Sequence, residues 1–301
     1  MKYRSLIIPA LLLLAVACQR MNLEEPKADV SQEAADTVFF LTVHASRVEP
    51  DTKALDLDDG VALHSYWKSS ETVKVFRSGI FLGALGVSPE AGETPRKADL
   101  AGNITTGSLS VGNALSLLLP RDVWDYTGQS GALTGSNSIE EMYAYALATV
   151  NVQSIGGGGS VTTTNAYFAN QQRIYRFGFK VGENYIDPKS FTVSATGGRL
   201  VRNVSYVAGA WIPTYGTLSV TPSAASADQF YYVSLRNDCT VADTYSFVLT
   251  GSEYALYLAT KAIPATVLGA PGKFISVKNV SAVKADFGPG GGTISSSENV
   301  L

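Results

Sequence analysis

The sequence predicts an all-β protein built as two tandem β-sandwiches, and three observations predict it. From Thr37 onward, apolar and polar residues alternate with a period of two nearly everywhere. Short β-branched and aromatic runs are separated at regular spacing by turn signals such as Gly197-Gly198, Pro213, Pro222 and Gly251-Ser252. Charged residues make up 16% of the 301 residues, against a usual share of about 25%, and Thr, Ser, Gly, Val and Tyr take their place. Two seven-strand sandwiches of about 130 residues each account for the length. The net charge of −3 gives no basic footprint for nucleic acid.

The chain opens with Lys2 and Arg4 before a 12-residue apolar run, Leu6 to Ala17. A helix needs about 20 residues to span a bilayer, so the run is too short to cross one and fits a signal peptide over residues 1–17. It ends Leu14-Ala15-Val16-Ala17-Cys18, small residues directly before a cysteine. That arrangement resembles the lipobox of bacterial lipoproteins, in which the thiol is lipidated and Cys18 becomes the amino terminus. An ordinary secretory peptide with a chance cysteine is the alternative. Gln19 follows, where an aspartate would oppose sorting to the outer membrane. Residues 18–36 are polar, acidic and short of aromatics, a flexible tether. Of the two cysteines, Cys239 then remains as a small buried hydrophobe.

Thr37 to Lys53, TVFFLTVHASRVEPDTK, begins as a strand through Val38, Phe39, Phe40, Leu41, Thr42 and Val43. Pro50 cannot donate to a ladder, so the strand stops before it in an exposed connector holding Arg47 and Lys53. A trypsin-like protease can cut such a connector, and cutting there removes the first strand. Before any cut, either Phe39, Leu41 and Val43, or the alternate face Val38, Phe40 and Thr42, fills a groove in the first sandwich.

Further along, Thr72 to Phe76 is a short alternating strand followed by apolar Ile80-Phe81-Leu82, with Trp67 before it as a core plug. Ser108 to Leu119 is a strand pair broken at Gly112-Asn113. Tyr143 to Val152 alternates as a strand, although its alanines suit a helix, and Ile139 to Met142 can supply a helical turn. Gly156 to Gly159 continues into Val161-Thr162-Thr163-Thr164 rather than into a Lys and a helix, so it is a hairpin tip and not a phosphate loop. A seam at Ala166 to Gln172 divides a first domain, 37–170, from a second, 171–301. The second opens with the alternating strand Arg173 to Val181, and further strands run from Ser190 to Ala259. Phe274 to Val283 is another, and a Gly-Pro-rich linker leads to Thr293–Leu301, with Ile294 and Val300 on one face.

The chain offers little material for catalysis. It has two histidines: His44 lies in the removable segment, and His64 neighbours Ser65 with no acid evidently placed to orient it. Asp56-Leu57-Asp58-Asp59-Gly60 resembles the start of a calcium loop, but its glycine comes one place early and Trp67 stands where the ligating Glu belongs. It is read as an acidic turn, with no metal and no cofactor. Trp67, Trp124 and Trp211, with 15 tyrosines, offer material for a sugar-stacking platform, though most suit a core.

In arrangement the chain resembles the fimbrillin-like family, the subunits of type V pili of Bacteroidales. The resemblance runs through the lipobox at Cys18, the acidic tether, the strand ending Ser46-Arg47, and Thr52-Lys53-Ala54-Leu55. It continues with Trp67 before a strand, Phe168-Ala169-Asn170-Gln171-Gln172 leading to Tyr175-Arg176-Phe177-Gly178-Phe179, and Pro271-Gly272-Lys273-Phe274. It covers nearly the whole chain. It implies two transthyretin-like β-sandwich domains and a non-enzymatic fimbrial subunit that supports adhesion to a host or bacterial surface ligand. The precursor would sit in the outer membrane through the lipid on Cys18 and pass to an extracellular fimbria after cleavage. An arginine- or lysine-specific protease would cut at Arg47, with Lys53 as the alternative, and remove strand 37–47. Other pilin subunits would donate a strand to the vacated groove, with 293–301 as this chain's own donor. Three consecutive serines make that donor poorly apolar, which leaves shaft, tip and anchor subunits open. The rival reading is an outer-membrane-anchored, glycan-binding surface lipoprotein.

Overall fold

A computed structural model describes residues 36–47, 56–58, 62–64, 66–121, 123–207, 210–223, 229–252, 255–268, 272 and 274–285. Many of the strands alternate buried and exposed residues with a period of two, and most of them gather into two main sheets.

The first half begins with β1 (Thr37–Arg47), followed by the small hairpin β2 (Asp56–Asp58) and β3 (Ala62–His64). Asp56 lies opposite His64 and Asp58 opposite Ala62, so the acidic stretch forms hairpin strands. Next come β4 (Thr72–Arg77), β5 (Ile80–Pro89), β6 (Lys97–Thr106), β7 (Ala114–Leu119) and β8 (Val123–Asp125). A π-helical turn over Ile139–Tyr143 precedes β9 (Ala146–Ile155), β10 (Ser160–Thr163) and β11 (Ala166–Asn170).

The pairings of this half close on themselves. β6, β5, β4, β7 and β9 follow one another, β9 pairs β10 and β11, and β1 completes the ring between those two and β6. The core inside is aliphatic, with Leu41, Val43, Val73, Val75, Leu100 and Leu117 at 1% exposure or less. β6 and the full length of β5 are absent from the alternation-based reading. Glycines dilute the pattern there, yet they let the strands approach: a Cβ at Gly102 would lie 2.6 Å from the Ala84 carbonyl. Of Ser108 to Leu119, only Ala114–Leu119 is a strand.

The glycine run is the hairpin tip between β9 and β10, closed by Gly156 N–H donating to the Ser160 carbonyl at 2.8 Å. Gly159 adopts φ +77°, and a Cβ on it would come within 3.0 Å of the Val38 carbonyl oxygen of β1. Gly159→Ala is therefore expected to lower stability by about 1–2 kcal/mol. Gly157→Ala, where a Cβ meets nothing within 4 Å, should be near neutral. Urea unfolding of the two variants makes the comparison.

The second half comprises β12 (Arg173–Val181), β13 (Asn184–Tyr185), β14 (Ser190–Ala195), β15 (Val201–Val207), β16 (Ala210–Tyr215) and β17 (Leu218–Val220). It continues with β18 (Tyr231–Leu235), β19 (Asp243–Thr250), β20 (Leu256–Ile263), the short helix α1 (Ala265–Leu268) and β21 (Phe274–Lys284). Tyr175, Phe177 and Phe179 project from β12 into an aromatic core with Phe191, Tyr231 and Phe247. β16 went unread because Pro213 signals a turn. Pro213 sits instead on an edge strand, opposite Val204, where its missing N–H disturbs no inner ladder.

Several contacts join the halves. β8 leaves the first ring and pairs with β15, and Trp124 stacks on Trp211 at 4.4 Å. The Gln129 carboxamide is spent across the same seam: Nε2 donates to the Tyr126 and Ser234 carbonyls, and Oε1 accepts from Ser234 N–H.

Cys239 is half-buried rather than fully buried, its Sγ 3.4 Å from Asp243 Oδ2, and burial together with that carboxylate raises the thiol pKa. For Asp243, burial pushes the carboxyl up. Hydrogen bonds from Asn237, Gly197, Thr196 and Thr244 outweigh it and hold the pKa at about 2. A depressed folded-state value stabilises the fold above the unfolded carboxyl pKa of about 3.9, and that contribution is lost as pH falls towards 2. Asp243→Asn is expected to flatten the fall in stability between about pH 4 and pH 2, read from urea midpoints at each pH.

Candidate functional site

β1 forms because Val38, Phe39, Phe40, Thr42 and Val43 favour extended backbone, and its alternation splits it into two faces. Phe39, Leu41, Val43 and Ala45 point inward, the last three buried in the ring's core. Val38 and Phe40 point outward, 57% and 49% exposed. Of the two faces open to the sequence reading, the odd-numbered one fills the interior. Fully burying a side chain such as Leu41 or Val43 is worth roughly 1.5–3 kcal/mol.

The two sides of β1 are unlike. Against β6 it runs antiparallel, from Thr37 opposite Thr106 to Ser46 opposite Lys97. Against β10 and β11 it runs parallel, with Leu41 opposite Val161 and Ala45 opposite Ala166. The second half repeats the arrangement: its first strand, β12, lies between antiparallel β18 and parallel β21, the last described strand of that half. On the outer face, His44 Nδ1 meets Asp99 Oδ1 at 2.5 Å across the β1–β6 pair.

Arg47 departs from its expected exposed position. It is the last residue of β1, and its side chain is 4% exposed. The reason is parity, since Arg47 continues the inward series of Leu41, Val43 and Ala45. Its guanidinium carbon lies 4.4 Å from the centroid of the Trp67 ring, and Nη2 donates to Glu71 Oε1 at 2.6 Å. The clasp is held in place from behind. The Trp67 backbone N–H donates to the Pro95 carbonyl at 2.9 Å, and its ring meets Phe168 edge-on at 5.2 Å. Glu71 Oε2 accepts the Lys68 amide at 2.8 Å, while Arg47 N–H donates to the Arg96 carbonyl at 3.1 Å. A cleft of about 930 Å³ borders the clasp, lined among others by Lys68, Glu71, Glu93, Glu140 and Glu141. The sequence reading missed Glu71, and extending the two-residue period through Arg47 beside Trp67 is the signal that could have prompted a search for an acid.

Other candidates fall elsewhere. Trp67 and Trp124 are 2% and 0% exposed, so two of the three tryptophans belong to the core and cannot present a sugar platform. Among the described residues, no group of three or more His, Cys, Asp or Glu is placed to hold a metal ion. Also among them, no helix is long and apolar enough to cross a membrane. Cys18, Lys53, Ile294 and Val300, with the whole of 293–301, lie outside the described residues.

No family model matches the chain, and no curated protein matches it. Among solved structures it is similar to a candidate cell adhesion protein from Bacteroides uniformis, at 13% identity, covering 82% of this chain and 99% of that one, with a TM-score of 0.41. It is also similar to one from Bacteroides fragilis, at 11% identity, covering 87% and 100%, with a TM-score of 0.40. A third is the tip fimbrial protein Mfa3 from Porphyromonas gingivalis with a C-terminal truncation, at 12% identity, covering 77% and 86%, with a TM-score of 0.34.

Proposed function

We propose that this chain is a structural, non-enzymatic subunit of a surface fimbria, assembled by strand exchange and supporting adhesion. In this reading it is exported as a precursor lipidated on Cys18, and proteolysis after Arg47, or after Lys53, frees strand 37–47. Its two halves serve as tandem transthyretin-like domains, 37–170 and 171–301. One observation carries the reading: the first described strand, β1, is also the strand that closes the first ring, with Leu41, Val43 and Ala45 buried in the core.

The physical sequence of events follows from that placement. A cut after Arg47 leaves β1 held by non-covalent contacts alone. Its departure opens a ladder edge on β6 and another on β10 and β11, together with an apolar slot between them. Unpaired edges of this kind demand a partner strand, and a strand from another chain satisfies them by β-augmentation. Donation from chain to chain is heterologous and does not close, so the product is a fibre. Residues 293–301, or a longer C-terminal segment, supply the donor for a further subunit.

Amino-terminal sequencing of the assembled surface material tests this. A terminus at Val48 or Ala54 is expected. A lipidated Cys18 terminus in every assembled form would overturn the reading.

A further inference from the structure

Resting on strand exchange as proposed above, we infer that Trp67 and Glu71 form a cation receptor at the end of the β1 slot. It selects an incoming strand carrying apolar side chains at three alternate positions and Arg or Lys at the next.

β1 itself supplies the template. Leu41, Val43 and Ala45 descend in size along the slot, each at most 4% exposed, and Arg47 completes the series over Trp67. When β1 leaves, the receptor stays. The Trp67 backbone is fixed by its hydrogen bond to the Pro95 carbonyl and its ring by Phe168, and Glu71 is fixed by the Lys68 amide. A carboxylate beside an indole face, with Glu93 and Glu141 lining the same cleft, suits a replacement cation and disfavours an acid. Lys68 does not satisfy it, because its ammonium is paired with Glu140 at 2.5 Å.

Polarity is fixed as well. An incoming strand must run parallel to β10 and β11 and antiparallel to β6, as β1 does, and only that direction brings its last inward residue to Glu71. Residues 293–301, TISSSENVL, contain Glu298 and no Lys or Arg. The receptor therefore favours a strand from a different polypeptide over that segment of a second copy.

The test uses the full-length chain cut after Arg47, with fluorescent peptides competing for the slot. The peptide TVFFLTVHASR is expected to enter. The same peptide with Arg47→Leu should bind about tenfold more weakly, and TISSSENVL should not compete. On a Glu71→Gln chain the Arg and Leu peptides should bind within about twofold of each other. A Glu71→Asp chain, which keeps the charge, should retain a preference for Arg and serves if Glu71→Gln does not fold. Equal binding of the Arg and Leu peptides to the unsubstituted chain overturns the receptor and leaves strand exchange standing. Failure of every peptide, TVFFLTVHASR included, overturns strand exchange and the receptor with it.

Discussion

A Leu41→Asp chain is expected to lose roughly 3–5 kcal/mol of stability, because it places an uncompensated charge inside the closed ring. Leu41 is 0% exposed and packs in the aliphatic core with Val43 and Ala45. One residue away, Phe40 is 49% exposed on the outer face, and Phe40→Asp should cost about 1 kcal/mol or less. The contrast between neighbours reports which face fills the slot, independently of any loss of strand propensity that the two substitutions share. Equilibrium urea unfolding gives both values. Equal losses at Leu41 and Phe40 would mean that β1 is not seated as described.

Glu71→Gln is expected to speed proteolysis after Arg47 by roughly tenfold or more. A protease that reads arginine must take the guanidinium into its own pocket, and in the folded chain that group sits on Trp67 and is paired with Glu71. Cleavage then tracks the fraction of time the clasp is open. Removing one partner of a buried pair costs about 3–5 kcal/mol at full burial, and the 20% exposure of Glu71 argues for less. Limited digestion with an arginine-specific endoprotease, followed by the appearance of the Val48 terminus, measures the rate. Cutting of an isolated peptide spanning 37–54 supplies the unclasped reference. An unchanged rate in Glu71→Gln would remove the clasp as a control on processing.

The all-β class and most strands were legible from the two-residue period, because many strands have one face in a core and one facing out. Asp243 to Thr250 shows why: Tyr245, Phe247 and Leu249 are buried while Val248 between them is 44% exposed. Ala166 to Asn170, read as a seam, is the alternating strand β11, while two other misses share a cause. β6 and β16 carry glycine or proline where the pattern requires a side chain, and in each case the backbone's neighbours decide. Ring closure was not legible, since it depends on β1 meeting β6 far along the chain. The strand end at Arg47 was legible, but its exposure was misjudged because it was assigned to the connector before Pro50 rather than to the inward series of Leu41, Val43 and Ala45. Its partner Glu71 follows Trp67 in a loop that no period organises. Residue types alone could nominate β1 for removal, but only the pairing shows which ladder edges, on β6, β10 and β11, its loss would expose.

The central claim is that β1 is a replaceable part of the first ring. Native mass spectrometry of the full-length chain, cut after Arg47 and mixed with excess isotope-labelled TVFFLTVHASR, tests it most directly. The predicted result is a folded complex that keeps the fragment ending at Arg47 and then exchanges it for the labelled peptide. A cut chain that sheds the fragment and unfolds without taking up peptide, or one that never exchanges it, would contradict the account.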